Sequence, residues 1–209
     1  MKNIWTISEL GTARFIIGIA VTWDRATRTV VLSQTTLIDK IIDQFGQKDA
    51  HPVSAPLEPG SKLRQTNRQA MSTEDQIQLS KLPYRSLVGC LLYLAISTCP
   101  DISYVVQQLS QYLDCYSFEH CAVAIRLVRY LKGTKDFKLY LGRDNPIVLQ
   151  AFSNSDWANC LDMCRSVSGY VCSLGSGTIS WMAQKQKVMA TSSYEAKYVA
   201  AFKTAKECI

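Results

Sequence analysis

Two polar stretches in the last third of the chain carry oxygen-bearing side chains at spacings suited to metal-dependent chemistry. Residues 152–158, FSNSDWA, place Asn154 and Asp156 two positions apart on a predicted strand, so both side chains project from the same face. Residues 191–198, TSSYEAKY, place Glu195 at the start of a predicted helix. If the sheet brings Glu195 opposite the strand, the three side chains converge. Carboxylates arranged in this way hold Mg²⁺ or Mn²⁺ for phosphodiester cleavage, which makes Asp156 and Glu195 the candidate metal ligands.

Glu195 also has a purely structural interpretation. The spacing Ser192-x-x-Glu195 is that of a capping box, in which the serine accepts a hydrogen bond from the third helical N–H and the glutamate reaches back to the cap. The sequence leaves both roles open.

The composition limits the class of protein. The chain has 209 residues, of which 47% are hydrophobic, and its formal net charge of +6 suits a nucleic-acid partner as well as it suits a merely basic protein. Eight cysteines without a CxxC pair and only two histidines argue against a zinc site. The longest apolar run, residues 87–96, is well short of the ~20 residues that a membrane span needs. Because no signal peptide opens the chain, we expect an intracellular protein, cytoplasmic or nuclear, with reduced thiols and no membrane partner.

The first half of the chain mixes strand and helix patterns. Two β-rich runs, residues 14–22 and 29–33, flank a polar turn and predict a hairpin. Apolar residues then recur at helical spacing over residues 37–45, with Gly46 as the stop. Residues 52–80 are rich in proline and polar side chains, which predicts a surface linker with one short helix.

The middle of the chain predicts three adjacent helices. Residues 84–97 are apolar nearly all round, which is typical of a buried helix, and Pro100 ends that helix or starts the next. Ser117 can cap a third helix that Gly133 would end. The last turns of this helix are basic, so they are candidates either for tracking a nucleic-acid backbone or for a cationic end favoured by the helix dipole. The basic residues are Arg126, Arg129, Lys132 and Lys135.

The final third reads as three strands and a helix. The strands are predicted at residues 146–152, 167–174 and 178–182, and the helix at residues 192–206. The sequence GSG between the last two strands indicates a hairpin. The predicted fold class is α/β, of the α+β kind, with a helical block followed by a small antiparallel sheet and its helix.

This final third is similar to the start of the ribonuclease H domain in the Pol polyprotein of copia-type LTR retrotransposons. That family usually reads Y-[ST]-D-x-D-W-A, then R-R-S-T-S-G-Y, [VI]-S-W, K-[KR]-Q and S-S-x-E-A-E-Y. Several independent landmarks fall in the same order here. The matching positions include Trp157, Ser166, residues 168–170, Ser180, Trp181, Gln186 and residues 192–196.

The segments before it resemble the same polyprotein. ISELGTARFIIGIAV and LSQTTLIDKIIDQFG are similar to the end of the reverse-transcriptase palm and the segment that follows it, and YRSLVGCLLYL begins a block that resembles the thumb and connection. The resemblance implies a palm tail and start of the thumb at residues 1–51 and a polar linker at 52–82. It further implies a helical thumb or connection at 83–135 and a truncated ribonuclease H-like domain at 146–209, with three antiparallel strands and a helix.

The resemblance also implies a reaction and its residues. The lineage copies RNA into DNA and hydrolyses the RNA of an RNA/DNA hybrid with Mg²⁺ or Mn²⁺. The polymerase's paired aspartates have no counterpart in this sequence. The family's first ribonuclease carboxylate falls on Asn154, a neutral amide, while Glu195 matches the second and Asp156 is the nearest substitute for the first.

We therefore expect a fragment of a copia-type Pol polyprotein that is catalytically inactive as this chain. Whether it holds a metal ion is left open. The expected partners are an RNA/DNA hybrid or another nucleic acid, and the rest of the polyprotein. Two alternatives remain: a domesticated nucleic-acid-binding or interaction module, and part of a longer active reverse transcriptase and ribonuclease H.

Overall fold

The structure is a computed structural model, which describes residues 11–67, 70–142 and 147–209. Within those ranges the chain forms six α-helices and two antiparallel sheets, an α+β architecture. The first ten residues of the segment predicted at 1–51 lie outside the described residues, as does residue 146 at the start of the last predicted segment.

The first sheet has four strands in the order β1-β2-β3-β4. They are β1 (Phe15–Ile16), β2 (Ile19–Asp24), β3 (Thr29–Ser33) and β4 (Leu139–Leu141). The predicted hairpin between β2 and β3 is confirmed. The prediction of one strand over residues 14–22 is wrong, because Ile17 and Gly18 both take positive φ angles, 50° and 79°, and reverse the chain between β1 and β2. A run of β-branched residues conceals such a turn.

Strand β4 was not predicted from the sequence. It has only three residues, too few to show an alternating pattern, and it pairs with β3 through Val31 and Tyr140. A second long-range tie joins α1 to the end of α5, since Thr35 Oγ1 donates to the Lys135 carbonyl at 3.0 Å over 100 residues. The first sheet is therefore completed by a segment that follows the whole helical block.

Five helices build the main core. They are α1 (Thr35–Gln44), α2 (Thr73–Ser80), α3 (Tyr84–Ser97), α4 (Ser103–Ser110) and α5 (Phe118–Thr134), with a 3₁₀ turn at Pro100–Ile102 before α4. The apolar residues that recur at helical spacing in the sequence meet in one cluster. Its fully buried members include Ile41, Leu91, Leu94, Ile102, Leu109 and Leu127.

Two predictions about the helical block are corrected. Gly133 does not end α5, which continues to Thr134; a Cβ at Gly133 would lie 3.2 Å from the Cβ of Pro52, so the glycine instead admits the preceding segment to the helix surface. The stretch at residues 52–80 is not a simple surface linker either. Leu63 and Leu79 are buried in the core, because a few apolar side chains suffice to anchor a polar segment.

The second sheet has three strands in the order β5-β6-β7. They are β5 (Leu149–Asp156), β6 (Val167–Leu174) and β7 (Gly177–Lys185), followed by α6 (Ser193–Glu207). Gly175, with a φ of 60°, turns β6 into β7. The predicted three antiparallel strands and helix are present.

The second sheet docks onto the helical block. Trp181 Nε1 of β7 donates to the Ala95 carbonyl of α3 at 2.6 Å, and Lys185 Nζ donates to Gln111 Oε1 at 2.8 Å. Where β7 begins, a Cβ at Gly177 would lie 2.8 Å from the Tyr140 carbonyl of β4. Backbone therefore meets backbone between the two sheets at this point.

Candidate functional site

The face of the second sheet that meets the helical block forms a cavity of about 380 Å³. The strand register arranges this face in three rows across β5, β6 and β7, because opposite residues of antiparallel strands project to the same side. The rows are Phe152, Val171 and Trp181; Asn154, Gly169 and Ala183; and Asp156, Val167 and Lys185. Pro100, Ser103 and Tyr104 close the cavity from the helical block.

Asp156 is tied to the helical block through Tyr104. The Tyr104 hydroxyl donates to Asp156 Oδ2 at 3.2 Å and accepts from Asn159 Nδ2 at 2.5 Å. Burial, followed by the nearby Asp156 charge, raises the pKa of Tyr104 to about 12. Tyr104 is therefore a neutral donor at ordinary pH, and one Asp156 oxygen is engaged.

Asn154 lies beside Asp156 on the cavity wall, as the two-residue spacing predicts. Its side chain is exposed and makes no hydrogen bond to another described residue. An amide brings one acceptor and one NH₂ donor to the cavity, and no charge.

Glu195 serves as a cap on α6. Ser192 Oγ accepts from the Glu195 N–H at 3.2 Å, as the capping pattern predicts. The Glu195 carboxylate accepts from Thr191, from its N–H at 2.7 Å and its Oγ1 at 2.8 Å, so it reaches one residue beyond the cap. These two hydrogen bonds lower the pKa of Glu195.

Helix α6 covers the opposite face of the second sheet. Gln186 Nε2 donates to Ser168 Oγ at 2.8 Å and to the Ala196 carbonyl at 2.9 Å, which ties the helix to the Ser168 side. Glu195 is not among the residues that line the cavity. The structure thus places Asn154 and Asp156 on one cavity wall, while the Glu195 carboxylate bonds Thr191.

The predicted Mg²⁺ site can be compared with the oxygen atoms that the cavity presents. Mg²⁺ requires several oxygen ligands near octahedral geometry, usually including carboxylates. The cavity offers one carboxylate, already bonded to Tyr104, and one neutral amide. In the described part of the chain no group of three His, Cys, Asp or Glu side chains is placed to hold a metal ion.

Two of the four predicted basic residues bind residues 48–58, the segment that crosses α5. Arg126 Nη1 lies 2.7 Å from Glu58 Oε1 in a salt bridge. Arg129 Nε donates to the His51 carbonyl at 2.8 Å. Both guanidinium groups therefore hold this segment against the helix.

The other two bind groups of this chain near the end of α5, one in the same segment and one in α1. Lys132 Nζ donates to the Ala50 carbonyl at 2.9 Å and also to the Lys48 carbonyl. Lys135 Nζ lies 3.1 Å from Asp39 Oδ1 of α1. We call Arg126, Arg129, Lys132 and Lys135 the basic clamp, since each binds a group of this chain.

Sequence reasoning missed the partners that complete the cavity and its surroundings. Tyr104 was predicted only as part of the helix after Pro100, and Trp181 only as a strand residue that matches the family resemblance. Asp162 was not singled out, yet its carboxylate accepts from the Gln65 N–H at 3.1 Å and from the Tyr112 hydroxyl at 3.2 Å. The two residues of each of these contacts are distant in sequence, so no local pattern predicts the contact.

The eight cysteines all fall in the described residues, and none of them forms a disulfide. None of the helices in the described part of the chain is long and apolar enough to cross a membrane.

Comparison with known proteins gives several relatives. The chain is 35% identical over 210 residues to the retrovirus-related Pol polyprotein from transposon TNT 1-94 of Nicotiana tabacum, a match covering 100% of this chain and 16% of that protein. It is 36% identical over 84% of its length to the corresponding polyprotein from transposon RE1 of Arabidopsis thaliana, of which it covers 12%. An uncharacterized mitochondrial protein of Arabidopsis thaliana is 31% identical over 99% of this chain and 82% of that protein.

The chain thus spans less than a fifth of the transposon polyproteins that it matches. No protein-family model matches it. No solved structure matches it either.

Proposed function

Since this chain belongs to the family of copia-type retrotransposon Pol polyproteins, we propose that it is a nucleic-acid-binding piece of such a polyprotein that does not cleave RNA on its own. Its proposed ligand is an RNA/DNA hybrid, and its proposed protein partner is the rest of the polyprotein. An intracellular location, cytoplasmic or nuclear, is part of this proposal.

The topology of the last third supports a ribonuclease H-like unit. Three antiparallel strands precede a helix, with Asn154 on the first strand and Glu195 in the first turn of the helix. These are the positions at which the family resemblance puts its first two carboxylates. The helical block before this unit would then be the thumb or connection of the polymerase.

The observation that carries the inactivity is the donor set of the cavity. A hydrolytic metal site needs negative oxygens that hold Mg²⁺ against water and leave positions for phosphate and the attacking water. Asn154 supplies no charge, and the Glu195 carboxylate is held by Thr191. We propose that Mg²⁺ or Mn²⁺ belongs to the reaction of the intact lineage and that this chain alone does not use it.

Cleavage of a labelled RNA/DNA hybrid tests this proposal. The parent chain is compared with Asn154→Asp and Glu195→Gln in Mg²⁺ and in Mn²⁺. We expect no cleavage by the parent or by Glu195→Gln. Cleavage by the parent that Glu195→Gln abolishes would contradict the proposal and would make Glu195 a working ligand. Hybrid affinity at several salt concentrations is measured alongside, with log K expected to fall linearly with log salt.

One observation favours the second candidate, a binding module without chemistry. The indole of Trp23 at the end of β2 is 52% exposed and shares an open concave surface with Arg14 and Arg25. Exposed aromatic rings flanked by arginines bind single-stranded nucleic acid by stacking and phosphate contact. Trp23→Ala should then weaken binding of a single-stranded oligonucleotide by about 1 to 3 kcal/mol, whereas an unchanged affinity would remove this candidate surface.

A further inference from the structure

We propose that the cavity between the second sheet and the helical block takes a single nucleobase, with the edge of the base against Asn154. The inference rests on the proposed function only in taking the ligand to be part of a nucleic acid. It assigns a base-binding role to a position that the family resemblance associates with metal-dependent hydrolysis.

The floor of the cavity is formed by the middle row of the sheet face, whose side chains are small. The middle row of the sheet face runs from Asn154 to Gly169 and Ala183, so two of its three side chains are a hydrogen and a methyl group. A Cβ at Gly169 would lie 3.5 Å from the Met182 carbonyl, an ordinary contact. Small residues here leave space that larger ones would fill, without any demand from the backbone.

Higher rows stand on both sides of this floor. The Phe152 row and the Asp156 row are four residues apart, about 13 Å at ~3.3 Å per residue. We call the space over the middle row, between these two rows, the slot. Phe152 and Trp181 line the cavity on one side, and Tyr104 lines it on the side of Asp156, to which its hydroxyl donates.

The volume suits a small planar ligand. A cavity of about 380 Å³ lies at the lower end of the range, about 300 to 1,000 Å³, in which small molecules bind. Its lining is mostly apolar, with a few polar groups at one end, which is the usual composition of such sites. A free base or one extruded base of a strand fits within this volume.

The polar end of the slot can recognise the edge of a base. The Asn154 amide makes no hydrogen bond to another described residue, so its donor and acceptor are both available. An asparagine amide matches the adjacent donor and acceptor of adenine. The Asp156 oxygen that does not bond Tyr104 can accept from an exocyclic amino group. The slot should therefore favour adenine over uracil, which has no amino group.

Saturation-transfer NMR on the full chain tests this inference with AMP, CMP, GMP, UMP and ribose 5-phosphate as ligands. We expect saturation of the base protons, strongest for AMP, and no signal from ribose 5-phosphate. Equal binding of ribose 5-phosphate would overturn the inference, since the phosphate alone would then account for it. An absence of any mononucleotide signal would overturn it too, and would favour an apolar side chain of the remaining polyprotein as the occupant.

Two variants address the slot directly. Ala183→Leu fills the floor and should weaken AMP binding about tenfold or more, whereas Ala201→Leu on the exposed side of α6 should leave it unchanged. If Ala183→Leu does not fold by circular dichroism, Gly169→Ala adds one methyl group to the same floor and Gly89→Ala is its control. Unchanged AMP affinity in a folded floor variant would contradict the inference.

The recognition of the base edge has its own variant. Asn154→Ala should weaken AMP binding while retaining part of the stacking, so the AMP affinity relative to that of the parent is the readout. An AMP affinity equal to that of the parent would remove Asn154 from the site. If the chain binds the RNA/DNA hybrid but no mononucleotide, only this inference fails. If it binds mononucleotides but not the hybrid, the proposed function fails.

Discussion

The ammonium group of Lys132 donates to two backbone carbonyls of the segment that crosses α5. Lys132→Met keeps most of the stem but removes both hydrogen bonds. We expect a loss of about 1 to 2 kcal/mol in the free energy of unfolding. Hydrogen bonds to charged groups contribute more than neutral ones, but the Lys132 ammonium group is partly solvated, which reduces the loss. Urea denaturation measures the loss. Lys40→Met, at an exposed position of α1, should change it little.

The same variant separates the two interpretations of the basic clamp. A lysine that contacts a phosphate reduces the salt slope of hybrid binding by about one when it is removed. Because Lys132 already binds its own chain, we expect the slope of Lys132→Met to equal that of the parent. A slope lowered by about one would show that the clamp contacts nucleic acid after all.

His120 links stability to pH. It is fully buried, its Nδ1 accepts from the Ser117 N–H at 3.1 Å, and burial lowers its pKa. Below about pH 6.5 the unfolded chain gains a proton that the folded chain does not. The contribution of His120 to the free energy of unfolding is therefore fully present above that pH. It is lost as the pH falls toward the lowered pKa of His120 in the folded chain, by at most about 1.4 kcal/mol per pH unit.

His120→Gln keeps a side chain that can complete the capping box but removes the titration. We expect the variant to be less stable than the parent at pH 7.5, because it loses the ring packed on Tyr112. Its stability should change less between pH 7.5 and 5.5. Equal pH dependence in both proteins, measured by urea denaturation, would assign the titration to other groups.

At the residue scale, local chemistry was predictable and long-range partnership was not. The capping role of Glu195 follows from its spacing to Ser192, and the shared face of Asn154 and Asp156 follows from strand geometry. The partner of Asp156 does not follow, because Tyr104 is 52 residues away. A pattern within ten residues carries no information about such a pair.

At the scale of elements, the close approach of β4 and β7 is the most demanding contact. A Cβ at Gly177 would lie 2.8 Å from the Tyr140 carbonyl and 3.0 Å from the Leu141 Cα, and neither backbone can yield easily. Gly177→Ala should lower the free energy of unfolding by about 1 to 3 kcal/mol through overpacking. Thermal or urea denaturation provides the measurement.

Gly89 supplies the matched control for this substitution. Its Cβ position in α3 has no heavy atom within 4 Å, so Gly89→Ala adds helix propensity without a clash. We expect it to raise stability by up to about 1 kcal/mol. If both variants behaved alike, the contact between the sheets would carry no strain penalty.

The elements that could be predicted from the sequence are those in which the hydrophobic pattern of a helix or strand repeats several times. Helices α3 and α5 and the three strands of the second sheet each show several turns or alternations. Strand β4 shows too few, and the turn at Ile17 is hidden because an isoleucine rarely takes a positive φ. The cavity escaped prediction for another reason: it depends on two elements docking, through contacts such as that of Trp181 with Ala95.

At the scale of the whole molecule, these docking contacts should make unfolding cooperative. Trp181 and Lys185 tie β7 to the helical block, and Asp162 ties the loop after β5 to Gln65 and Tyr112. We expect tryptophan fluorescence, to which Trp23 of the first sheet and Trp181 of the second both contribute, and far-ultraviolet circular dichroism to give coincident urea transitions. Transitions at different urea concentrations would mean that parts of the chain unfold separately.

The long-range pairing of β3 with β4 has a consequence for folding during synthesis. When β3 and α1 leave the ribosome, the strand that completes their sheet and the carbonyl that Thr35 binds across 100 residues do not yet exist. At ~5–20 residues per second the wait is about 5 to 20 s. Through that interval the hairpin of β2 and β3 has an open edge. A chaperone that covers exposed strands would therefore bind the nascent chain before β4 pairs with β3.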